Sequence, residues 1–460
     1  MMPAPMKTFR IQTLGCKVNQ YESQQMRQTL EESGLTAAKP AQRPDLVVIN
    51  TCCVTHIASS KSRQIARKAQ KEHSGSAVIV TGCLPIGQEN EADALDNIII
   101  VKDKGTLPLI LEQLFQKQHL SLNNANYSKP INLSQIKDKN PNLTQPSAEK
   151  HSNKPLTSAN SLPILTQFCG QSRAFLKVQD GCDAYCTYCV IPKIRTNVCN
   201  KDVKTVLKEA NNLVQAGHKE IILTGIFLGA YGQTTARRRK WDTDKLDSLS
   251  ELVNEVASID GLTRLRLSSL EPLDVTDRLL EVMTTHDNIA PHLHLPLQSG
   301  SANVLRKMAR QYTIGDFLGV VERAKKAFDR PAITTDIIVG FPGETESDFR
   351  QTVEVAKKVG FSKIHVFSFS VRKNTAAEKM AKLFGKVSPQ EIKRRSGVLQ
   401  AVDAELQDQF RQSCTGLREQ VLIEKTNPHR GRCGRYFMVD VNNLLYTEKL
   451  RKGDLASVMI

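Results

Sequence analysis

Three cysteines fall in one short stretch, Asp180-Gly-Cys-Asp-Ala-Tyr-Cys-Thr-Tyr-Cys-Val-Ile-Pro192, as a C-x3-C-x2-C array of Cys182, Cys186 and Cys189. Thiolates this close together can hold three irons of a cubane cluster from one loop, whereas ordinary cluster sites take four cysteines. A three-cysteine site leaves one iron open to a small ligand. Zinc and disulfides are the competing uses of such thiols. Zinc usually closes with four ligands in paired C-x2-C or Cys/His sets, and no second pair lies near this array.

Cys16, Cys52 and Cys83 lie far apart in sequence, in the contexts Thr-Leu-Gly-Cys16, Asn-Thr-Cys52 and Val-Thr-Gly-Cys83. Each follows a segment that reads as a strand: Phe9 to Leu14, Leu46 to Asn50, and Ala77 to Val80, with a fourth strand at Asn97 to Val101. Helices are expected at Glu22 to Glu32 and about Ala58 to Glu72. The short apolar runs and the βαβα alternation predict a doubly wound parallel α/β domain over 1–117. Loops at the carboxyl ends of such a sheet converge on one edge, where ligands bind. The sheet would therefore gather these three thiols, and Gly15 and Gly82 would let the backbone approach a bulky group. Three buried structural thiols are the alternative. Cys53, next to Cys52, is expected to point elsewhere as a packed thiol.

The composition changes to Asn, Ser, Lys, Gln and Pro between about Gln118 and Pro163, and 118–165 is expected to be a mobile linker or insertion. From 166 to 412 strand and helix alternate again. Strands are expected at Ala174 to Val178, Glu220 to Thr224, Arg264 to Ser268, His292 to Leu295, Ile333 to Val339 and Lys363 to Ser370. Six βα units in series predict a partial (β/α)6 barrel, whose chemistry belongs at the carboxyl ends of its strands. The cysteine array follows the first strand, as that rule requires. An insertion near Gly232 to Asp247 carries Arg237-Arg-Arg-Lys240 and Trp241, a phosphate contact or a solvated loop. Ser388-Pro-Gln-Glu391 reads as a capping box. It opens a helix with an apolar stripe at Ile392, Leu399, Val402, Leu406 and Phe410. Residues 413–460 hold short strands at Glu419 to Glu424, Arg435 to Val441, Leu444 to Glu448 and Asp454 to Ile460. They predict a small antiparallel β-barrel. Lys425, His429, Arg430, Arg432, Arg435, Lys449, Arg451 and Lys452 would make it basic, as RNA binding or a structural lid.

The whole chain of 460 residues carries 63 Lys and Arg against 47 Asp and Glu, a net charge of +16. That excess favours a polyanionic partner, nucleic acid first. The start lacks the apolar core of a signal peptide, and no apolar run approaches the roughly 18 residues of a membrane helix. A reducing, cytoplasmic setting is expected, with the 11 cysteines serving as ligands rather than bridges.

The array, with aromatic Tyr188 before its last cysteine, resembles that of the radical S-adenosylmethionine (SAM) enzymes. The whole assembly resembles their methylthiotransferase family, which joins an N-terminal three-cysteine domain, a radical SAM barrel and a C-terminal TRAM domain. Thr13-Leu-Gly-Cys-Lys-Val-Asn-Gln-Tyr-Glu-Ser23 and Asn50-Thr-Cys-Cys-Val-Thr55 resemble the branch that modifies threonylcarbamoyladenosine in tRNA. The blocks Leu267-Ser-Ser-Leu-Glu-Pro272, His294-Leu-Pro-Leu-Gln-Ser-Gly300 and Thr335-Asp-Ile-Ile-Val-Gly-Phe-Pro-Gly-Glu344 also fit the family. Three departures stand out: Thr196-Asn-Val-Cys-Asn200 replaces the usual Gly, Arg and Ser, Asn374 stands where Gly is usual, and the long linker is atypical.

The resemblance implies two [4Fe–4S] clusters, one on Cys182, Cys186 and Cys189 that binds SAM and one on Cys16, Cys52 and Cys83 that carries sulfur. It offers Tyr188, Ser269, Glu271, Gln298 and Asp336 as SAM contacts, a purely structural role being the alternative for each. It implies methylthiolation at C2 of adenosine 37 beside the anticodon. The partners would be tRNA and a flavodoxin- or ferredoxin-type electron donor, with the enzyme a monomer. The competing readings are a methylthiotransferase acting on isopentenyladenosine or on a ribosomal protein aspartate, and a non-catalytic RNA-binding iron–sulfur protein.

Overall fold

The computed structural model describes residues 6–73, 75–87, 98–120, 162–441 and 449–460. Most of the expected linker and the strand expected at Leu444 to Glu448 lie outside them. The chain divides into two compact units, Met1–Ile164 and Leu165–Ile460.

The first unit is built on five strands, β1 (Thr8–Thr13), β2 (Thr36–Ala37), β3 (Leu46–Thr51), β4 (Ala77–Gly82) and β5 (Ile99–Ile100). All pair in parallel, in the order β2-β1-β3-β4-β5. Every residue of β3 is buried, which an apolar run without alternation requires. Val47 and Ile49 face Ala66 and Ala69 of the helix His56–Glu72. Val48, on the opposite face, joins Met26 and Leu30 of the helix Lys17–Glu32 and Leu107, Ile110 and Leu111 of the helix Leu107–Leu120. The sheet is thus covered on both sides, as a doubly wound domain must be. Chain direction across the sheet reverses between β1 and β3, the crevice where such folds bind ligands. The first helix starts at Lys17, five residues before the expected Glu22, because Cys16 itself occupies the N-cap without a side-chain bond. Cysteine is not among the residues that announce a cap in sequence.

The second unit holds six parallel strands: β6 (Arg173–Asp180), β8 (Glu220–Gly225), β9 (Arg264–Leu267), β10 (His292–His294), β11 (Ala332–Val339) and β12 (Lys363–Ser368). Single bridges, Leu265 to Ile289 and Ser269 to His294, join β9 to the β10 segment, so the strands follow one another around a partial barrel. The helix Val203–Gln215 buries Val206, Ala210 and Leu213 and is capped by Asp202. A two-residue strand, β7 (Cys199–Asn200), pairs antiparallel with the end of β6; two residues carry too little pattern to be foreseen. Of the expected capping box at Ser388 only one half forms. The Ser388 hydroxyl accepts from Glu391 N–H, whereas the Glu391 carboxylate takes Arg394 and Arg395 instead. No helix among the described residues is long and apolar enough to cross a membrane.

The terminal sheet is antiparallel in the order β15-β14-β13-β16, comprising β13 (Arg418–Thr426), β14 (His429–Arg432), β15 (Met438–Asp440) and β16 (Leu455–Met459). It docks at the amino ends of β8, β9 and β10. Arg264 donates to Gln420 O at 2.8 Å and Arg432 O at 3.1 Å, and Arg266 to Gly434 O at 3.0 Å and Cys433 O at 3.2 Å. His292 stacks on Tyr436 at 4.4 Å. Arg432 and Arg435, expected on the basic face, turn inward to Glu424 and Glu419, while Lys425, Arg430, Lys449, Arg451 and Lys452 are exposed.

Glu220 holds both docking arginines, accepting from Arg264 at 2.7 Å and Arg266 at 3.1 Å. Burial alone would raise its pKa, but Arg266, Arg264 and Arg173 outweigh it and hold Glu220 at about 2. A carboxylate depressed in the folded state stabilises above its ordinary pKa and loses that contribution as pH falls toward the depressed one. Stability is therefore expected to drop by about 3 kcal/mol between roughly pH 4.5 and pH 2. Urea unfolding across that range should show a steeper loss of stability in the wild-type chain than in Glu220→Gln.

Candidate cluster and SAM site

The cysteine loop leaves the carboxyl end of β6 through Gly181, whose φ is +79°. A Cβ there would stand 1.8 Å from Asn197 O, so the residue must be glycine for the strand end to lie against the returning segment. Arg195 clamps Asp180 through both carboxylate oxygens at 2.8 and 2.9 Å, Lys177 adds 2.8 Å, and Cys182 N–H donates to Arg195 O at 2.9 Å. Gln179 donates to Asp180 O and Gly181 O and accepts from Phe227 N–H. Farther along, Thr187 donates from N–H to Met308 O and from its hydroxyl to Lys307 O, and its own carbonyl accepts from Ala377 N–H. The loop is thus pinned to segments following β6, β10 and β12. Gly181→Ala is expected to cost about 1–3 kcal/mol from backbone strain alone and to lower iron retention by this loop, measured as iron per chain after reconstitution.

The three thiols are half-buried and close enough to feel one another's charge. Burial pushes Cys182 and Cys189 up to about 12, and raises Cys186 as well. Such thiols lose their protons only to a strongly attracting cation, as metal ligation supplies. Arg310 contributes one fixed positive charge. Its Nη1 lies 3.2 Å from Cys186 Sγ and 3.2 Å from the Tyr188 hydroxyl, and its Nη2 donates to Glu271 at 2.7 Å. Glu271 Oε2, Arg310 Nε and Arg238 Nε are buried without a hydrogen-bond partner. Glu271 Oε2 and Arg238 Nε face each other at 3.9 Å, too far for a hydrogen bond, so acidic and basic atoms beside the cysteines keep hydrogen-bonding capacity that fits a zwitterionic ligand such as an amino acid end group.

The expected SAM contacts distribute unevenly. Tyr188 packs edge-on against Phe341 and meets Arg310. Glu271 is in the same cluster. Ser269 is exposed past β9. Gln298 takes a left-handed backbone, φ 62°, with its N–H on Asp336 O and its carbonyl on Ile338 N–H. Asp336 faces His294 across 3.4 Å. The basic insertion is partly spent inside the molecule: Arg237 pairs with Asp183 and covers Tyr185, and Arg238 binds Asp274 and covers Trp241. Arg239 and Lys240 remain exposed. Sequence reasoning missed Arg310, whose isolated position carries no motif of its own.

In the first unit the three other thiols follow β1, β3 and β4 at one sheet edge. Gly15, φ +99°, sits so close that its Cβ would meet Cys52 Cβ at 2.8 Å and Sγ at 3.0 Å. Cys83 N–H donates to Thr51 O at 3.1 Å. Cys53 is fully buried, its thiol toward Cys83 O at 3.3 Å. Cys16 is exposed, and Cys52 and Cys83 are 6% and 4% exposed.

Comparison with known proteins bears on both units. Residues 8–101 match the family model described as "Uncharacterized protein family UPF0004" and residues 176–356 match the radical SAM superfamily. The threonylcarbamoyladenosine tRNA methylthiotransferase MtaB of Bacillus subtilis is 36% identical over 82% of this chain and 76% of its own. The chain belongs to the radical SAM methylthiotransferase family. The MtaB of Thermotoga maritima is 34% identical over 91% of this chain and 87% of its own. In fold, the second comparison is with TsrM of Kitasatospora setae, a radical SAM methyltransferase, at TM-score 0.55 and 14% identity over 84% of this chain and 76% of that one. Membership implies SAM and a [4Fe–4S] cluster. The cysteine loop and the orphaned atoms beside it fit both.

The departures at Thr196 to Asn200 and at Asn374 are accommodated. Asn374 has φ 64°, the left-handed conformation that a glycine would supply, and asparagine is among the side chains that tolerate it. Its N–H donates to Glu378 at 2.7 Å and its carbonyl accepts from Lys193. The Thr196 to Asn200 segment supplies the carbonyl against which Gly181 packs, and then β7.

Proposed function

We propose that this chain transfers a methylthio group to C2 of N6-threonylcarbamoyladenosine at position 37 of tRNA. The observation that carries the reading is 34–36% identity, over most of the chain, to relatives named for that reaction. The three-cysteine loop at a barrel strand's carboxyl end supports it, as does the exposed basic set on the terminal sheet. In this reading Cys182, Cys186 and Cys189 hold the SAM-binding cluster and Cys16, Cys52 and Cys83 a second one. The division is 1–117 methylthiotransferase domain, 118–165 linker, 166–412 radical SAM domain and 413–460 TRAM-like RNA-binding domain. The protein works in the cytoplasm as a monomer with a flavodoxin- or ferredoxin-type donor.

When bound, the cluster with SAM supplies one-electron chemistry able to take hydrogen from an unactivated carbon, which no side-chain acid or base can do. The chain's own residues bind and orient. Arg310 sets charge beside Cys186 and holds Glu271, and Glu271 Oε2, 3.9 Å from Arg238 Nε and without a hydrogen-bond donor of its own, would accept from the ligand's ammonium. Tyr188 fixes Arg310 from the other side. Gln298 and Ser269 line the same strand ends. Reconstituted protein with SAM and a reductant should methylthiolate tRNA carrying threonylcarbamoyladenosine and leave isopentenyladenosine tRNA unchanged. Modification of the second substrate alone would refute the assignment.

A further inference from the structure

Three adjacent parallel strands of the barrel bring two imidazoles and a carboxylate together. Asp336 of β11 pairs in register with His365 of β12, and His294 of β10 pairs with Thr334, two residues before Asp336. Because side chains alternate with period two, Thr334 and Asp336 share a face, and their partners share it with them. The ligand atoms of His294, Asp336 and His365 all lie within 4.8 Å of one another. His294 Nε2 is 3.4 Å from Asp336 Oδ2. The two rings stand 6.0 Å apart and tilted by 58°, so they do not stack.

We propose that His294, Asp336 and His365 form a binding site for one first-row divalent cation of the zinc class, separate from the cysteine sites. Two imidazole nitrogens and one carboxylate oxygen suit zinc or iron(II), whereas magnesium and calcium take oxygen ligands. The ring of His294 is aimed in advance. Its Nδ1 is 2.9 Å from Thr334 Oγ1, which His292 Nε2 also meets at 2.9 Å. That second contact is the outer support that metal-binding histidines require, and it leaves Nε2 for the ion. The nearby ammonium of Lys363 is bound to Asp403 and does not fill the role. All three residues are only partly buried, so an ion can enter, and three protein ligands leave coordination open to a water or a substrate oxygen. The proposal rests on the barrel's register and not on the identity of the RNA substrate.

The test uses the full chain with its clusters reconstituted, dialysed against zinc and then against metal-free buffer. Metal analysis should find about one zinc per chain, and absorption spectroscopy at the zinc edge a nitrogen and oxygen shell at about 2.0–2.1 Å. His365→Ala and Asp336→Asn should each lower zinc affinity at least tenfold while iron content and the circular dichroism melt stay as in wild type. No zinc after dialysis, a shell dominated by sulfur at about 2.3 Å, or zinc kept by both variants overturns the proposal.

Discussion

Replacing Cys182, Cys186 and Cys189 together with alanine is expected to abolish deoxyadenosine formation from SAM and to halve the bound iron. Under the proposed two-cluster reading the reconstituted chain holds about eight irons, so about four should remain. The reason is local: these side chains sit on one pinned loop. The converse variant, with Cys16, Cys52 and Cys83 replaced, is expected to keep SAM cleavage, lose the other four irons and form no methylthio product. Iron assay and chromatography of deoxyadenosine on the two variants give the comparison. Equal loss of SAM cleavage in both would contradict independent roles for the two trios.

Arg310→Met should produce the second large effect. Arg310 is the buried partner of Glu271 and the donor to Cys186 and Tyr188. Burial works against its charge, yet its pKa stays well above the ordinary arginine value, with Glu271 as its hydrogen-bonded acidic partner. Removing it takes away the 2.7 Å hydrogen bond to the buried Glu271 side chain and leaves Arg238, 3.9 Å away, as the remaining cationic neighbour, an expected loss of about 1–3 kcal/mol. The double variant Arg310→Met with Glu271→Gln should recover part of that loss, because the two side chains are in direct contact and their effects do not add. Urea unfolding measures both. Arg310 also tunes its neighbour sulfur, so the reduction potential of the cluster bound there should fall in the single variant. An unchanged potential together with unchanged stability would remove Arg310 from the account.

Much of this was legible in residue order because the signals were periodic. The short apolar run expected as a strand at Leu46 to Asn50 called for cover on both faces, and the structure covers it so. The six barrel strands were found for the same reason, each within a few residues. The cysteine loop was legible from spacing alone. What escaped was whatever depends on contacts between distant residues. Arg310 has meaning only beside Cys186, 124 positions away. His294 and His365 become neighbours only through β11. Arg432 and Arg435 counted as surface charge because their inward partners, Glu424 and Glu419, are assigned by the sheet and not by spacing. The left-handed turn at Asn374 appeared in sequence only as a departure from glycine, and the backbone gives its reason.

The central claim is tested most directly by nucleoside mass spectrometry of tRNA from a strain lacking this gene, complemented with the wild-type chain or with the Cys182, Cys186 and Cys189 triple variant. The account expects 2-methylthio-N6-threonylcarbamoyladenosine to vanish in the deletion, return with the wild type and stay absent with the variant, while N6-threonylcarbamoyladenosine accumulates. Undiminished methylthio nucleoside in the deletion strain, with no second enzyme for the reaction, would contradict it.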